Sequence, residues 1–344
     1  MIANHPLNDL NTLHLPARAE WFAAPASLDE LQEVLADARA RKLPVTLLGE
    51  GSNVVLAGDI DGLVLKPALR GIEILLEKPD SLLVAAAAGE HFDDLVAWSL
   101  AQGLQGLENL SLIPGSVGAA PYQNIGAYGV ELADRLVWVE AVQASNGDIR
   151  RFRRDECDFA YRDSLFKSVL PGAFVITRIC LRLDRQAAGR PLVLHYADLA
   201  ERLAALPPEQ QNATGLRDIV CALRKSKLPD PDVLPNAGSF FKNPSVPAAH
   251  AAELQRHYPG LPLYPQADGR VKLAAGWLIE QAGFKGRREG AVGMHDRQAL
   301  VLVNHGGATG AEVLAHAQAV RKAVSERFGV SLEQEPVVLG SQET

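Results

Sequence analysis

The sequence has few cysteines and no long apolar segment, and both absences exclude classes of protein. Its three cysteines, Cys157, Cys180 and Cys221, match no disulfide framework, metal motif or redox motif, so we expect buried thiols in a reducing compartment and no metal site. Apolar runs such as residues 82–88 are much shorter than a membrane span. The N-terminal residues lack the cationic and apolar regions of a signal peptide. We therefore expect a cytoplasmic protein that does not enter a membrane.

Positive charge is also scarce. A net charge of -7 and a pI near 5.8 argue against nonspecific binding to nucleic acid or to anionic membranes, which needs a basic surface. An anionic ligand must then be held by a local cluster of cations. The 344 residues are 47% hydrophobic and 22% charged, so we expect the whole chain to fold into two or three domains. Nothing in the sequence requires more than a monomer.

Local patterns predict a mixture of helices and strands. Ser27 and Glu30 form a capping box that opens a helix ending near Arg41. The turn Asn146-Gly147 joins two β-rich runs in a region, residues 136–183, that we expect to be mainly antiparallel sheet. The other predicted strands are residues 45–48, 62–66, 81–87, 300–303 and 335–339, and the other predicted helices are residues 92–102, 213–225 and 309–328.

The first candidate binding feature is the turn Leu48-Gly49-Glu50-Gly51-Ser52-Asn53, which follows a predicted strand. Its glycines let backbone N–H groups approach a phosphate closely. It is not a dinucleotide fingerprint, because Val54 occupies the position of the third glycine and a strand rather than a helix follows. A plain turn is the alternative.

The second candidate is a pair of loops rich in small residues, 113–121 and 123–129. Two phosphate-sized glycine loops roughly 65 residues apart, with no helix to supply a dipole, favour flavin adenine dinucleotide held mainly by main-chain groups. Tight turns in a sheet protein are the alternative interpretation. The residues alone leave both open.

Six ordered blocks resemble the UDP-N-acetylenolpyruvoylglucosamine reductase (MurB) family across almost the whole chain. They are LGEGSNVVL at 48–56, IPGSVGAAPYQNIGAYG at 113–129, YRDSLFK at 161–167, KLPDPDVLPNAGSFFKNP at 227–244, YPQADGRVKLAAGWLIEQAGFKG at 264–286 and HDRQALVLVN at 295–304. The resemblance implies an α+β fold: a two-part FAD-binding domain of the vanillyl-alcohol-oxidase (PCMH) type, then a smaller α+β substrate-binding domain. We expect these at residues 1–212, with subdomains of about 1–70 and 71–212, and at residues 213–344, whose last strand is free to return to the flavin domain.

The same resemblance implies the reaction. NADPH reduces FAD, and the flavin then passes hydride to the enolpyruvyl ether of a UDP-sugar to give the lactyl ether. Arg162 and Glu335 match the groups that stabilise the enediolate, and Ser239 matches the proton donor. FAD contacts are implied for Gly49, Gly51, Ser52, Asn53, Gly115, Ser116, Gly118, Ala119, Asn124, Ile125, Gly126 and Ala127.

Substrate contacts follow from the resemblance in the same way. They are implied for Tyr128, Tyr161, Tyr196, Arg224, Lys227, Asn243, Tyr264, Lys285 and Gln298. Tyr196 resembles the tyrosine of the family subtype with an extra loop that closes over the substrate, and Lys285 is the most plausible diphosphate contact. We interpret Trp277 and Leu278 as packing residues.

Two positions depart from the family pattern, and two alternative functions remain open. Glu50 stands where the family usually has glycine, which brings a carboxylate to the phosphate loop, and the C-terminal segment 332–336 offers Glu333 as well as Glu335 as the acid. The first alternative function is an FAD-dependent oxidase or dehydrogenase of another hydroxy acid or sugar, against which the YRDS and NAGSFF blocks argue. The second is a non-catalytic sensor of nucleotide sugars, which would carry no flavin.

Overall fold

The computed structural model describes residues 1–340, which form two compact units. The first unit comprises Met1–His5, Ala19–Glu50 and Asp61–Lys225, and the second comprises Pro6–Arg18, Gly51–Ile60 and the chain from Ser226 onward. Each unit is therefore assembled from segments distant in sequence. Within residues 1–340, no helix combines the length and the apolar character needed to cross a membrane.

The elements are numbered along the chain. The helices are α1 (Leu28–Ala40), α2 (Phe92–Ala101), α3 (Ala197–Ala204), α4 (Ala213–Lys227), α5 (Ala248–His257), α6 (Ala275–Gln281) and α7 (Gly310–Phe328). The strands are β1 (Ile2–Pro6), β2 (Arg18–Ala23), β3 (Val45–Leu47), β4 (Val54–Leu56), β5 (Ile60–Leu65), β6 (Ile72–Glu77), β7 (Ser81–Ala87), β8 (Leu104–Gln105), β9 (Gly126–Ala127), β10 (Val130–Glu131), β11 (Leu136–Gln143), β12 (Ile149–Arg153), β13 (Phe174–Arg185), β14 (Asn236–Ser239), β15 (Ser245–Pro247), β16 (Leu263–Pro265), β17 (Arg270–Leu273), β18 (Arg288–Glu289), β19 (Val292–Met294), β20 (Val301–Asn304) and β21 (Val337–Leu339).

The first unit contains a large antiparallel sheet in the order β12-β11-β13-β7-β6, with β8 paired to the end of β13. The predicted hairpin between β11 and β12 is confirmed: Gly147 has φ +85°, a conformation that glycine adopts without steric cost. One face of this sheet covers a core that includes Phe92, Phe152 and Ile179, all almost fully buried. The sheet thereby supports α2 and the small-residue loops that follow it.

A second, smaller sheet in the order β1-β2-β5-β3 packs against α1. The predicted start of α1 is confirmed, since the Ser27 side chain accepts a hydrogen bond from the Glu30 backbone N–H at 3.1 Å. Leu31 and Leu35 lie one turn apart on the buried face. Burial of each leucine contributes roughly 1.5–3 kcal/mol, which fixes α1 on the sheet.

The second unit contains the antiparallel sheet β14-β20-β19-β18, the three-stranded sheet β15-β17-β16 and the parallel pair β21-β4. Helix α7 packs against β4, β19 and β20. The predicted helix over residues 309–328 is confirmed: Thr309 and Glu312 form a capping box at its start, and it ends at Gly329, with φ +65°. The strand–helix–strand order predicted for the C-terminal region is therefore present.

Some elements were not predicted from the sequence. Strand β6 is exposed along nearly its whole length, and its sequence IEILLE does not alternate apolar with polar residues, so the period-two signal is weak. Strands β1 and β2 and helix α5 were also missed. Helix α4 belongs to the first unit as far as Lys225, although residues 213–344 were assigned to the substrate-binding domain. That residues 1–212 bind FAD and residues 213–344 bind the substrate stays a prediction.

Candidate active site

In the first unit, the start of the first predicted glycine loop, at Gly49, lies against the second loop. A Cβ on Gly49 would stand 3.3 Å from both the Ser116 Oγ and the Ala119 Cβ, and a Cβ on Gly118 would stand 2.6 Å from the Ala88 Cβ. A side chain larger than hydrogen at Gly118 would therefore force the backbone apart. The expectation that no helix accompanies these loops is wrong, because α2 begins beside the second loop and the Phe92 N–H donates to the Gly115 carbonyl at 3.0 Å.

His91, which the sequence analysis did not single out, lies beside both loops. It pairs with Ser116 as a β-bridge, and its Nε2 lies 3.3 Å from the Glu50 Oε2. Its Nδ1 is shielded from solvent and has no hydrogen-bond partner among residues 1–340. The Glu50 carboxylate is thus directed to an imidazole, and an unsatisfied ring nitrogen remains next to the loops. When the His91 Nδ1 carries a proton, an oxygen atom of a ligand could accept its hydrogen bond.

Several other predicted FAD contacts make hydrogen bonds or close backbone contacts within the protein. Gly51, in the second unit with Ser52 and Asn53, has φ +66°, and a Cβ there would stand 2.1 Å from the Leu10 carbonyl oxygen. In the first unit, the buried Asn124 side chain bonds Glu131, the Ala160 carbonyl and the Ala133 N–H. The Ile125 N–H and carbonyl are both used within the chain. The side-chain amide of Asn124 is thus hydrogen-bonded within the protein, and its contact with FAD stays a prediction.

A partly buried cation, Arg224, and two tyrosines form the clearest candidate ligand-binding feature of the first unit. The Tyr128 and Tyr196 rings meet edge to face with centroids 5.8 Å apart. The Arg224 Nε is shielded from solvent and has no hydrogen-bond partner in the described part of the chain. Burial lowers the pKa of the Arg224 guanidinium, and Arg162 lowers it further, while Tyr128 opposes both. Arginine nonetheless stays charged near neutral pH, so this site favours an anionic ligand.

Arg162 is held by its own turn, in the same unit. Its backbone has φ +57°, its Nη2 donates to the Gly126 carbonyl at 2.8 Å, and its guanidinium lies 5.4 Å from the centre of the Tyr161 ring. The Lys167 Nζ donates to the Arg162 carbonyl at 3.2 Å. These contacts fix a left-handed conformation that is uncommon for arginine.

The second unit brings Ser239 and Glu335 to adjacent backbone positions. Ser239 ends β14 opposite Val301, and the Glu335 N–H donates to the carbonyl of Phe240, the next residue, at 2.9 Å. Glu335 is half-buried, whereas Glu333 is exposed and its carboxylate binds the Lys242 Nζ at 2.5 Å. Glu333 is thus engaged with a lysine at the surface, and the choice of Glu335 as the acid stays a prediction.

Other predicted substrate residues of the second unit cluster at the start of α6 or stand apart. The Asn243 Oδ1 accepts from the Ala275 N–H at 2.9 Å, and the Gln298 Oε1 would lie 3.0 Å from a Cβ on Gly276. Lys285, expected to meet the diphosphate, pairs with Glu280 at 2.9 Å. Tyr264 is half exposed on β16, and Lys227 is exposed at the end of α4.

The structure thus groups the predicted site residues by unit. The first unit carries Tyr128, Tyr161, Arg162, Tyr196 and Arg224, together with Gly49 and the second glycine loop. The second unit carries Lys227, Ser239, Asn243, Tyr264, Lys285, Gln298 and Glu335. Trp277 and Leu278 are packing residues as predicted, with Leu278 fully buried and the Trp277 ring against Tyr258 and Phe328.

Comparisons with known proteins assign the parts of the chain to families. Residues 19–153 match the family profile of an FAD binding domain, and residues 230–339 match that of the UDP-N-acetylenolpyruvoylglucosamine reductase C-terminal domain. The UDP-N-acetylenolpyruvoylglucosamine reductase of Alcanivorax borkumensis is 53% identical over 97% of this chain and 94% of that protein. The enzyme of the same name from Pseudomonas aeruginosa is 51% identical over 96% of each. The crystal structure of the Thermus caldophilus reductase covers 99% of both chains with a TM-score of 0.68 and 26% identity.

An FAD-binding domain followed by the C-terminal domain of a reductase defines the class of this protein: it is an FAD-dependent oxidoreductase. The match of residues 230–339, together with identity of about 50% to whole reductases over nearly the full length, is more specific. The chain belongs to the UDP-N-acetylenolpyruvoylglucosamine reductase family.

Proposed function

We propose that this chain reduces the enolpyruvyl ether of UDP-N-acetylglucosamine enolpyruvate to the lactyl ether of UDP-N-acetylmuramate, a step of peptidoglycan precursor synthesis, with NADPH as the reductant. The observation that carries the proposal, beside family membership, is the partly buried Arg224 cation near Tyr128, whose ring contacts Tyr196. A shielded guanidinium Nε without a hydrogen-bond partner in residues 1–340 favours an anion, and the substrate supplies both a carboxylate and a diphosphate.

The residues of the first unit fit FAD. Gly49 and Gly118 allow close approach of main chain, and the unsatisfied His91 Nδ1 is suited to a phosphate oxygen. FAD, when bound, supplies hydride transfer by accepting a hydride equivalent from NADPH and delivering it to the alkene carbon. We assign the loops around Gly49 and Ser116 to its pyrophosphate. Glu50 is compatible with this assignment because its carboxylate faces the His91 imidazole.

Each of the three proposed catalytic groups handles one charge or one proton. An enol ether is electron-rich, so hydride addition develops negative charge on the adjacent carboxylate, which must be stabilised. Arg162 offers a fixed fork of donors for that carboxylate, and a protonated Glu335 donates a hydrogen bond to the developing oxyanion. The Ser239 hydroxyl then gives its proton to the neighbouring carbon, with a nearby cation stabilising the alkoxide. Ser239 and Glu335 stand on neighbouring backbone positions, as this division of labour requires.

Substrate recognition uses both aromatic and cationic groups. Tyr196 covers the substrate as the loop tyrosine of the family subtype, and its half-exposed ring beside Tyr128 supports this role. Tyr161, Arg224, Lys227, Asn243, Tyr264, Lys285 and Gln298 complete the proposed contacts with the uridine, the sugar and the diphosphate. Lys285 must exchange its bond with Glu280 for the diphosphate. We expect a monomer working in the cytoplasm, where NADPH is available and the free thiols stay reduced.

An anaerobic absorption spectrum followed through successive additions tests the proposal. The purified protein should be yellow, should bleach with NADPH, and should regain its colour when the UDP-enolpyruvyl sugar is added, with UDP-N-acetylmuramate as the product. UDP-N-acetylglucosamine, which lacks the alkene, is the matched control and should leave the protein bleached. Colourless protein after reconstitution with FAD, or bleached protein that the UDP-enolpyruvyl sugar cannot reoxidise, would refute the proposal.

A further inference from the structure

Asn109 is a buried residue to which nothing above gives a role. It lies in a short 3-10 turn, Glu108–Leu110, of the first unit and is 1% exposed. Its Nδ2 donates two hydrogen bonds, to the Tyr128 carbonyl and to the Val193 carbonyl, both at 3.0 Å. A carboxamide nitrogen has two hydrogens, so one side chain holds two segments that are 65 residues apart in the chain.

Those two segments carry the tyrosines of the proposed substrate site. Three residues after Val193 comes Tyr196, whose ring contacts Tyr128. The segments also approach each other at Gly129, where a Cβ would stand 2.8 Å from the His195 Nδ1. Tyr128 itself has φ +49°, a left-handed conformation that must be held by its surroundings. Asn109 thus bonds the main chain at the point where Tyr128 is strained.

The oxygen of the Asn109 carboxamide indicates that the side chain is oriented for the two hydrogen bonds of its Nδ2. The Asn109 Oδ1 is buried and accepts no hydrogen bond from residues 1–340. A buried acceptor without a donor costs free energy, so the side chain is not placed for its own stability alone. Its orientation instead aims both N–H groups at the two carbonyls.

We propose that Asn109 is a positioning residue that holds Tyr128 and Tyr196 in the arrangement that receives the substrate. The inference rests on the proposed function, because Asn109 acts through these two tyrosines and touches no reacting group itself. Loss of both donors frees the segment of Val193 and leaves two partly buried carbonyls without this donor. The substrate is then bound by tyrosines that must first be ordered, which weakens binding without changing hydride transfer from NADPH.

The test replaces Asn109 with leucine, which keeps the size but removes both donors, in the full FAD-loaded enzyme. N109L should raise the KM for the UDP-enolpyruvyl sugar about tenfold, while kcat and the rate of FAD reduction by NADPH stay within about twofold of wild type. Asn304→Leu, in the second unit, is the control: Asn304 is 2% exposed, and its side chain bonds the main chain of Leu13, Gly306 and Ala308. It should lower the melting temperature and leave this KM unchanged.

A double-mutant cycle with Tyr196→Ala separates positioning from general destabilisation. Because Asn109 acts through both tyrosines, N109L should raise the KM clearly less than tenfold once Tyr196 has been replaced and only Tyr128 is left to position. Effects that multiply, or a wild-type KM in folded N109L, would overturn the inference. Should N109L not fold, Asn109→Ser, which retains a single donor, takes its place and should give a smaller rise in KM. Wild-type enzyme that cannot turn over the substrate would instead refute the proposed function, before any variant is compared.

Discussion

The ion pair between Asp93 and Arg217 joins α2 to α4 in the first unit, and its removal should lower the stability of that unit sharply. The Arg217 Nη1 and Nη2 meet the two Asp93 carboxylate oxygens at 2.7 Å each, and the Leu112 N–H donates to the Oδ1 at 2.6 Å. The side chains of Arg217 and Asp93 are 17% and 14% exposed. This is a bidentate pair largely withdrawn from solvent, and not a surface ion pair.

The magnitude follows from that geometry. Asp93→Asn keeps an acceptor for Leu112 but leaves the Arg217 guanidinium shielded and without its anion, which costs about 3 kcal/mol. The first unit has about 200 residues, and for a unit of this size each kcal/mol lowers the melting temperature by roughly 2–4 °C. We therefore expect Asp93→Asn to melt about 6–12 °C below wild type at pH 7.

The same pair gives a pH dependence with a definite sign. Burial raises the pKa of the Asp93 carboxyl, but the hydrogen bonds from Arg217 and from the Leu112 N–H outweigh burial and hold this pKa below its ordinary value. A depressed folded-state pKa contributes stability that is present above the unfolded pKa, near 3.9, and is lost as the pH falls through the folded pKa. The gap in melting temperature between wild type and Asp93→Asn should thus be constant from about pH 6 to 8 and should narrow below about pH 4.

Differential scanning calorimetry at a fixed, saturating FAD concentration measures this gap, because ligand binding itself shifts the transition. Asp37→Asn is the control, since it removes an exposed pair with Arg41 at 3.7 Å and should change the melting temperature by less than about 2 °C. An Asp93→Asn variant that melts with wild type at pH 7, or a gap that widens in acid, would refute the reasoning.

Three further predictions concern the proposed site. In anaerobic stopped-flow, the flavin of Ser239→Ala should be reduced by NADPH at nearly the wild-type rate and then be reoxidised by substrate roughly a hundredfold more slowly. Reoxidation at the wild-type rate would place the proton donor elsewhere. Glu335→Gln, which keeps a hydrogen-bond donor, should slow reoxidation less than Glu335→Ala, and Glu333→Ala should not slow reoxidation at all. If Glu333→Ala instead stalls reoxidation, Glu333 rather than Glu335 is the acid. Tyr196→Phe should raise the substrate Kd measured by titration and spare reduction by NADPH, and an unchanged Kd would make Tyr196 an ordinary surface residue.

The elements predicted correctly from the sequence are those with a short-range cause. Ser27 caps α1 through a residue three positions away, Thr309 does the same for α7, and the Asn146-Gly147 turn acts within four residues. The glycine-rich loops belong with these, because the absence of a side chain can be seen in the sequence itself. Local chemistry of this kind needs no knowledge of the rest of the fold.

The features that were missed depend on contacts between distant segments. His91 is an ordinary residue until the fold sets it between Glu50 and Ser116, and Asn109 gains its role only where residues 128 and 193 meet. The division of the chain within α4 likewise comes from tertiary packing. Neither residue spacing nor residue type predicts such partners, because both describe only the nearest part of the chain.

The parallel pairing of β4 with β21 has a consequence for how the protein is made on the ribosome. Strand β4 pairs with β21 and with no other strand in the described residues, and about 280 residues separate the two along the chain. At a synthesis rate of roughly 5–20 residues per second, β4 emerges some 15–60 s before its partner exists. During that interval an apolar strand with unpaired backbone groups is exposed to other nascent chains. The second unit can thus be completed only after β21 has been synthesised, whereas all segments of the first unit have been synthesised once Lys225 has been added.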